Sequence, residues 1–371
     1  MLCLIGVGIN EYDSLSSSSV EMLKNSDMIY VERFTGFLSN GFIEKIKDLV
    51  NGYGFSSKKK SIEVQLAKRW FVEDGRQILE NSLKENVSIL IYGDPLIATT
   101  YNELLVRAKK QSIPYKVIHS SSGIPSLVGE SGLHYYKFGK MVTIMSDPMS
   151  SITVYDTIYN NICYGLHTLI LTEYNNDLES DGLSPPKNPC PFFLSPKRVF
   201  DLLMEREYEL KLLNLSEDSF VIVTCKIGTE SSKVICGKIK SLMNIEFESG
   251  PNSIIVPGNL HFTEVDSIKN LTIALDDPDD NSAKVNKLSS RMLDKYIPNA
   301  KKALSTLSSL VKEKENDFKE EYSVVLENAE NYLFDAENFY RQGRIELAIL
   351  SVGYAEGLID SIRFQKGMNP W

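Results

Sequence analysis

The stretch Ile89-Leu90-Ile91-Tyr92-Gly93-Asp94-Pro95-Leu96-Ile97-Ala98-Thr99-Thr100 decides how the chain reads. Its first part is a continuous apolar run of strand length, the pattern of a strand buried on both sheet faces. A glycine, a carboxylate and a proline end that run. Thr99 or Thr100 then stands where a helix N-cap belongs, with Glu103 in reach as a capping partner. Asp94 is thereby expected at the carboxyl end of a central strand, the edge at which open α/β sheets bind ligands. An Asp-Pro turn of purely structural meaning has the same pattern.

Outward from this stretch, the segment Val117-Ile118-His119-Ser120-Ser121-Ser122-Gly123-Ile124-Pro125 repeats the theme of a strand ending in small polar residues. Two such loops side by side would form a pocket for a polar, non-phosphate ligand. The chain opens on an apolar run ending in Gly6-Val7-Gly8-Ile9, and Glu32 at the end of a second strand imitates the acid that binds a ribose. A dinucleotide fingerprint needs a third glycine at position 11, where Glu11 stands, so a plain tight turn remains the alternative. Gly139-Lys140 is followed by Met141, which rules out a Walker A loop.

Further strands are expected at 2–9, 27–33, 87–92, 115–119, 141–145, 168–172, 220–226 and 253–256. Helices are expected at 17–25, 38–50, 73–84, 99–111, 152–163 and 196–213. This alternation predicts an α/β fold over roughly the first 275 residues. Pro185, Pro186, Pro189, Pro191 and Pro196 mark the stretch 175–196 as a long irregular connection between two halves. A sharper break is Asp276-Asp277-Pro278-Asp279-Asp280-Asn281-Ser282, after which apolar residues recur only at helical spacing. One stripe runs from Tyr322 to Tyr340 and another from Ile345 to Ile362, joined by Arg341-Gln342-Gly343-Arg344, which predicts an antiparallel helical hairpin with Gly343 at the C′ position.

The net charge is −9, from 40 Lys+Arg and 49 Asp+Glu, which argues against a broad electrostatic footprint for nucleic acid. After Ser282 the count is 13 of each sign, so the acidic excess lies wholly before that point. The basic run Lys58-Lys59-Lys60 reads as a solvated loop or a contact for an anionic partner. Cys3, Cys163, Cys190, Cys225 and Cys236 show neither CxxC spacing nor close pairing, so no zinc site or disulfide framework is expected and a reducing cytoplasm fits. No basic segment precedes the first apolar run and no run is long enough to span a bilayer, so neither a signal peptide nor a membrane helix is expected. His119, His134, His167 and His261 lack ligand spacing and are expected in structural roles, and no GxSxG or Cys/His arrangement suggests a covalent nucleophile.

Taken together, Gly6-Val7-Gly8-Ile9, Gly93-Asp94-Pro95-Leu96-Ile97-Ala98-Thr99-Thr100, Val117-Ile118-His119, Gly132-Leu133-His134, Tyr136-Lys137-Phe138-Gly139-Lys140, Gly165-Leu166-His167-Thr168-Leu169, Ile255-Val256-Pro257-Gly258 and Leu260-His261 resemble the archaeal diphthine synthase family in order and spacing across residues 1–275. The resemblance implies a two-subdomain tetrapyrrole-methylase-like fold, with subdomains of about 1–118 and 119–275. An acidic linker at 276–284 and an all-α domain at 285–371 would follow. It implies S-adenosylmethionine as cofactor, N-methylation of a modified histidine of elongation factor 2 as activity, and a cytoplasmic homodimer without membrane or direct nucleic-acid partners. Carried over by position, the cofactor contacts are Ile9, Asp94, Ile97, Ser122, Ile124, Thr172, Cys225 and Asn252. Thr172 stands where the family commonly has an apolar residue, and Asn252 where it often has histidine. The turn after His119 is one residue longer than in the family.

The tail resembles a small archaeal helical domain of unknown function, the likeness running from Ala336 to Asp360. A stability or dimer module and a docking surface for the elongation factor or ribosome both fit it. Two rival functions stay open: methylation of a tetrapyrrole or corrin precursor, and a cofactor-binding interaction scaffold without turnover. Tetrapyrrole-methylating relatives usually show a Gly-Pro-Gly-Asp start and a phenylalanine-rich run after Gly-Asp-Pro, neither of which occurs here.

Overall fold

The computed structural model describes residues 1–52, 61–175, 192–212, 214–278, 288–313 and 316–368, the side chains of 175, 288 and 310–321 excepted. The chain forms two compact units, Met1–Ala283 and Lys284–Trp371.

Among the described residues, the first unit contains two main sheets. One is parallel throughout and consists of β1 (Leu2–Gly6), β2 (Met28–Glu32), β3 (Glu63–Ala67), β4 (Val87–Ile91) and β5 (Tyr115–Ile118) in the order β3-β2-β4-β1-β5. The other is mixed: β6 (Val142–Ile144), β7 (Thr168–Thr172), β10 (Phe220–Cys225), β11 (Lys233–Lys238), β12 (Asn252–Val256) and β13 (Ile273–Ala274), in the order β13-β11-β10-β12-β7-β6. Between β7 and β10 in sequence, β8 (Tyr174–Asn175) and β9 (Phe192–Phe193) pair antiparallel. The fold is thus mixed α/β followed by helices, as the sequence pattern implies.

Strand alternation explains why these runs are apolar without interruption. Leu2, Leu4, Ile89 and Ile91 pack on one face of the parallel sheet, Cys3, Ile5 and Leu90 on the other, and all are buried. The second sheet does the same, with Ile170, Val221, Val223 and Ile254 on one side and Leu169, Phe220, Ile222 and Ile255 on the other. A strand covered on both faces has no reason to alternate polar residues.

Several expectations need correction. The proline-rich stretch does not divide two halves, because β7 before it and β10 after it belong to one sheet; the change of sheet follows β5. Residues 176–191 of that stretch, Cys190 among them, lie outside the described residues, as do Lys58-Lys59-Lys60 and the linker from Asp279 on. The expected helix at 73–84 is two helices, Arg69–Asp74 and Arg76–Lys84, broken where Gly75 adopts φ 56°. The edge strand β3 was missed because its Glu63, Gln65 and Leu66 are exposed and give no apolar run. Asp276 belongs with the sheet: its carboxylate accepts from the Lys238 N–H at 2.8 Å.

Three histidines that are scattered in sequence converge on Glu264, which is fully buried. The Gly258 N–H donates to His167 Nδ1 at 2.8 Å, so the ring's Nε2–H donates to Glu264 Oε1 at 3.0 Å. The backbone N–H groups of His134 and His261 and the Lys137 ammonium complete the hub. Burial opposes the Glu264 charge, but the bonds from Lys137, His261, His134 and His167 outweigh it and hold its pKa at about 2. The hub therefore ties three segments together as an ionised carboxylate, a structural use of His134, His167 and His261.

In the second unit, Leu288–Glu313, Asn316–Arg341 and Ile345–Gln365 are helical, one helix more than the two apolar stripes predict. Leu293, Ile297, Leu307, Leu326, Leu333, Val352 and Ile359 are among its core residues. Gly343 ends the second helix at φ 74°, and the Arg344 N–H reaches back to the Phe339 carbonyl at 2.8 Å, a Schellman closure. No helix among the described residues is long and apolar enough to cross a membrane.

Gly8 and Gly93 sit at φ 69° and 70° and bridge each other. A Cβ on Gly93 would meet nothing nearer than 3.8 Å, whereas one on Gly8 would lie 2.4 Å from Ser14 Cβ. Gly93→Ala should therefore cost about 1–2 kcal/mol, the left-handed penalty alone, and Gly8→Ala clearly more. Urea unfolding of both variants checks the order.

Candidate functional site

The carboxyl ends of the parallel strands and the adjoining edge of β7 and β12 enclose a cavity of about 470 Å³. Its walls come from residues 34–37 after β2, Arg69 after β3, 92–94 and 97–101 after β4, 122–124 after β5, and 171–174 and 251–253 from the second sheet.

Asp94 builds one wall by joining two loops. It is buried, its Oδ1 accepts from the Leu96 N–H at 3.0 Å, and its Oδ2 accepts from the Ser120 N–H at 3.2 Å and from His119 Nδ1 at 2.8 Å. The loops after β4 and β5 thus lie side by side, as their sequences suggest. Ser122 caps helix Gly123–Glu130, its hydroxyl accepting from the Ile124 N–H at 3.3 Å. The Thr172 hydroxyl donates to the Asn252 carbonyl at 2.6 Å, which explains a polar residue at a strand end.

Six of the eight expected contacts, Asp94, Ile97, Ser122, Ile124, Thr172 and Asn252, line this cavity. Ile9 lines an adjoining groove of about 870 Å³, packed so closely on Gly228 that a Cβ there would lie 2.7 Å from its Cδ1. Cys225 borders neither space. It pairs with Asn252 across the ladder and packs partly buried on the apolar core, and burial raises its thiol to about 11, which keeps it neutral.

Two local readings differ from expectation. Glu32 faces no ribose site: it is fully buried, with Oε2 accepting from the Thr35 N–H and hydroxyl at 3.1 and 2.8 Å and Oε1 from the Tyr92 N–H at 3.1 Å. No capping box forms at helix Tyr101–Lys110, since Thr100 makes no side-chain cap and the Thr99 hydroxyl donates to the Pro95 carbonyl. Glu11, in place of a third glycine, accepts from the Ser39 N–H and hydroxyl at 2.6 and 2.8 Å and so anchors the next helix.

Sequence reasoning missed Phe34, Phe37, Arg69, Tyr101, Tyr174 and Phe193 as lining residues. The available signal was position: the first three follow parallel strands at their carboxyl ends, where ligands bind.

The cavity suits a ligand with both polar and flat apolar parts. Ile97, Ile124, Leu127 and Leu171 offer apolar surface. The Tyr101 and Tyr174 hydroxyls and Asn252 Oδ1 are buried without a hydrogen-bond partner, the condition of groups that a ligand satisfies. Desolvation raises Tyr101 well above the usual tyrosine range and Tyr174 to about 12, so both hydroxyls remain donors. Asn252 Oδ1 can accept from an exocyclic amine and Ile97 and Ile124 can flank a purine, so these residues fit S-adenosylmethionine.

The family model for Tetrapyrrole (Corrin/Porphyrin) Methylases matches residues 1–242, and that for a Protein of unknown function (DUF357) matches 295–368. The chain is 31% identical over 273 residues to a diphthine synthase of Methanocaldococcus jannaschii, spanning 73% of this chain and 98% of that relative. It is 31% identical over 280 residues to a diphthine synthase of Saccharolobus solfataricus, 72% of this chain and 97% of that one. A diphthine methyl ester synthase of Dictyostelium discoideum is 30% identical over 275 residues, 71% and 95% of the two chains. A crystal structure of a diphthine synthase superposes with TM-score 0.61 at 22% identity, covering 77% of this chain and 100% of that one.

Burial raises Glu32 to about 7 from 4.5. A carboxyl whose folded pKa is raised binds its proton more tightly in the native state, so its contribution to stability falls as pH rises through that window. Neutral, buried His167 has a lowered pKa and acts in the opposite direction, so a difference between proteins is needed. The wild-type stability minus that of Glu32→Gln should fall by about 3 kcal/mol between pH 4.5 and 7 and level off above. Denaturant melts across that range measure it.

Proposed function

This chain belongs to the tetrapyrrole (corrin/porphyrin) methylase family, and from that premise we propose that it is a diphthine synthase, transferring methyl groups from S-adenosylmethionine to the amino group of the modified histidine of elongation factor 2. The observation that carries the reading is the convergence of Asp94, Ile97, Ser122, Ile124, Thr172 and Asn252 on one cavity from both sheets. We further read the protein as a cytoplasmic homodimer. Cys3, Cys163, Cys225 and Cys236 are free thiols, which suits a reducing compartment.

The chain's own residues position and desolvate. Asp94 fixes the two loops that flank the cavity and retains acceptor capacity for the ligand's polar groups. Asn252 Oδ1 would accept from the adenine amine, while Ile97 and Ile124 would flank the base. The Tyr101 and Tyr174 hydroxyls donate. S-adenosylmethionine supplies a methyl on a cationic sulfur, already activated, so that N–C bond formation breaks the C–S bond and leaves a thioether. The work left to the protein is alignment of an unprotonated amine, its proton going to solvent, which accounts for the lack of a catalytic triad motif.

The experiment is transfer of label from methyl-labelled S-adenosylmethionine to elongation factor 2 carrying the modified histidine. Label on that histidine is expected, and none would refute the reading. A relative bears the name of a methyl ester synthase, so the product is treated with mild alkali, which removes ester methyls and should leave these in place. Asp94→Ala should weaken cofactor binding at least about tenfold, the loss of one charge-assisted contact plus loop order. Every described residue lining either space lies before Ala283, so a chain ending there should still transfer label.

A further inference from the structure

The cavity and the adjoining groove share a wall of Phe37, Tyr92, Phe193, Ile227 and Pro251. Three of those residues are aromatic. The Phe37 and Phe193 rings lie 6.2 Å apart at 58°, and Tyr174 stacks on Phe193 at 4.9 Å and 26°. Tyr92 packs on Gly36, where a Cβ would sit 2.2 Å from the ring's Cδ1. The junction between the two spaces is therefore a bracket of aromatic rings packed on one another.

Carboxylates outnumber cations around it: in the cavity Asp94 and Glu173 stand against Arg69. Glu11, Asp13 and Glu230 line the groove, and its single lining cation, Lys226, is paired with Glu248 at 2.7 Å. Ring faces carry negative quadrupole density and attract organic cations, most effectively where water is excluded. An aromatic bracket beside an excess of carboxylates complements a small alkylammonium and repels a carboxylate.

We propose that Phe37, Tyr92, Phe193 and Tyr174 form an aromatic cage that holds the acceptor's ammonium end as it gains methyl groups, and that this cage carries the reaction to the quaternary stage. The proposal rests on the methyltransferase reading. Its physical basis is the change in the acceptor. A primary ammonium has three N–H donors and a quaternary one has none, so a site made of hydrogen-bond acceptors would loosen its grip with every transfer. Ring faces do not, because their attraction needs charge and not N–H groups. In each round the nitrogen lone pair forms the new N–C bond and the donor's C–S bond breaks. Before each attack the caged ammonium gives one proton to solvent to free that lone pair, so three protons leave over three transfers and the quaternary product has no N–H left.

The test uses the full chain, excess S-adenosylmethionine and elongation factor 2 carrying the modified histidine, with the methylation state of the histidine peptide read by mass spectrometry. Wild type and Phe193→Tyr should end at the quaternary product. Phe193→Ala and Phe37→Leu should accumulate mono- and dimethyl species, the last transfer slowed about 3- to 30-fold. In parallel, choline and its neutral isostere 3,3-dimethylbutanol are titrated against each protein. Choline should bind wild type more tightly than the isostere, and that preference should shrink in Phe193→Ala. If wild type puts no methyl on the factor, the enzymatic reading fails while the choline titration still tests the cage. Unchanged product distributions in both variants, or equal binding of choline and its isostere to wild type, would overturn the proposal.

Discussion

Two backbones that hydrogen-bond to each other hold the site together. The Gly8 N–H donates to the Gly93 carbonyl and the Gly93 N–H to the Gly8 carbonyl, both at 3.1 Å, just past the ends of β1 and β4. Both residues need left-handed φ, and a Cβ on nearby Gly6 would meet the Gly93 carbonyl oxygen at 2.6 Å. The close approach thus requires glycine at Gly6, and the left-handed turn favours it at Gly8 and Gly93. Their following loops then diverge on either side, one toward Glu11 and the groove, the other toward Asp94 and the cavity.

From that clamp the rest follows in order. Asp94 is placed where its carboxylate reaches the loop after β5, and the bond to Ser120 sets Ser122 to cap the helix that carries Ile124. The second sheet closes the opposite wall through Thr172 and Asn252, joined to each other by one hydrogen bond. Polar groups that have no partner in the walls, the Tyr101 hydroxyl and Asn252 Oδ1, are the places where a buried ligand gains most, since leaving them unpaired is costly. The site is built mainly from backbone geometry and packing, with few ionised groups, and that suits a reaction whose donor arrives already activated.

The parts legible in sequence were those with local causes. The apolar runs of β1 and β4, the glycine-acid-proline turn at Asp94 and the Gly343 closure each follow from a few neighbouring residues. What escaped was set by distant ones. Glu32 looks like a ribose ligand in sequence, but it is fully buried on Thr35 and the Tyr92 backbone and is not among the residues lining the cavity. His134, His167 and His261 look unrelated until Glu264 gathers them. Phe193 and Tyr174 flank a proline-rich stretch that carries no periodicity, so nothing local announces that they reach the cavity. The exposed edge strand β3, and with it Arg69, lacks the apolar run by which strands are recognised.

Hydrogen exchange of the full chain with and without S-adenosylmethionine tests the central claim most directly, because it reads both walls of the cavity at once and needs no protein substrate. Slowed exchange is expected in 92–101, 120–127 and 251–253 together, with 288–368 unchanged. Protection confined to one sheet, or absent from all three segments at saturating cofactor, would contradict the account.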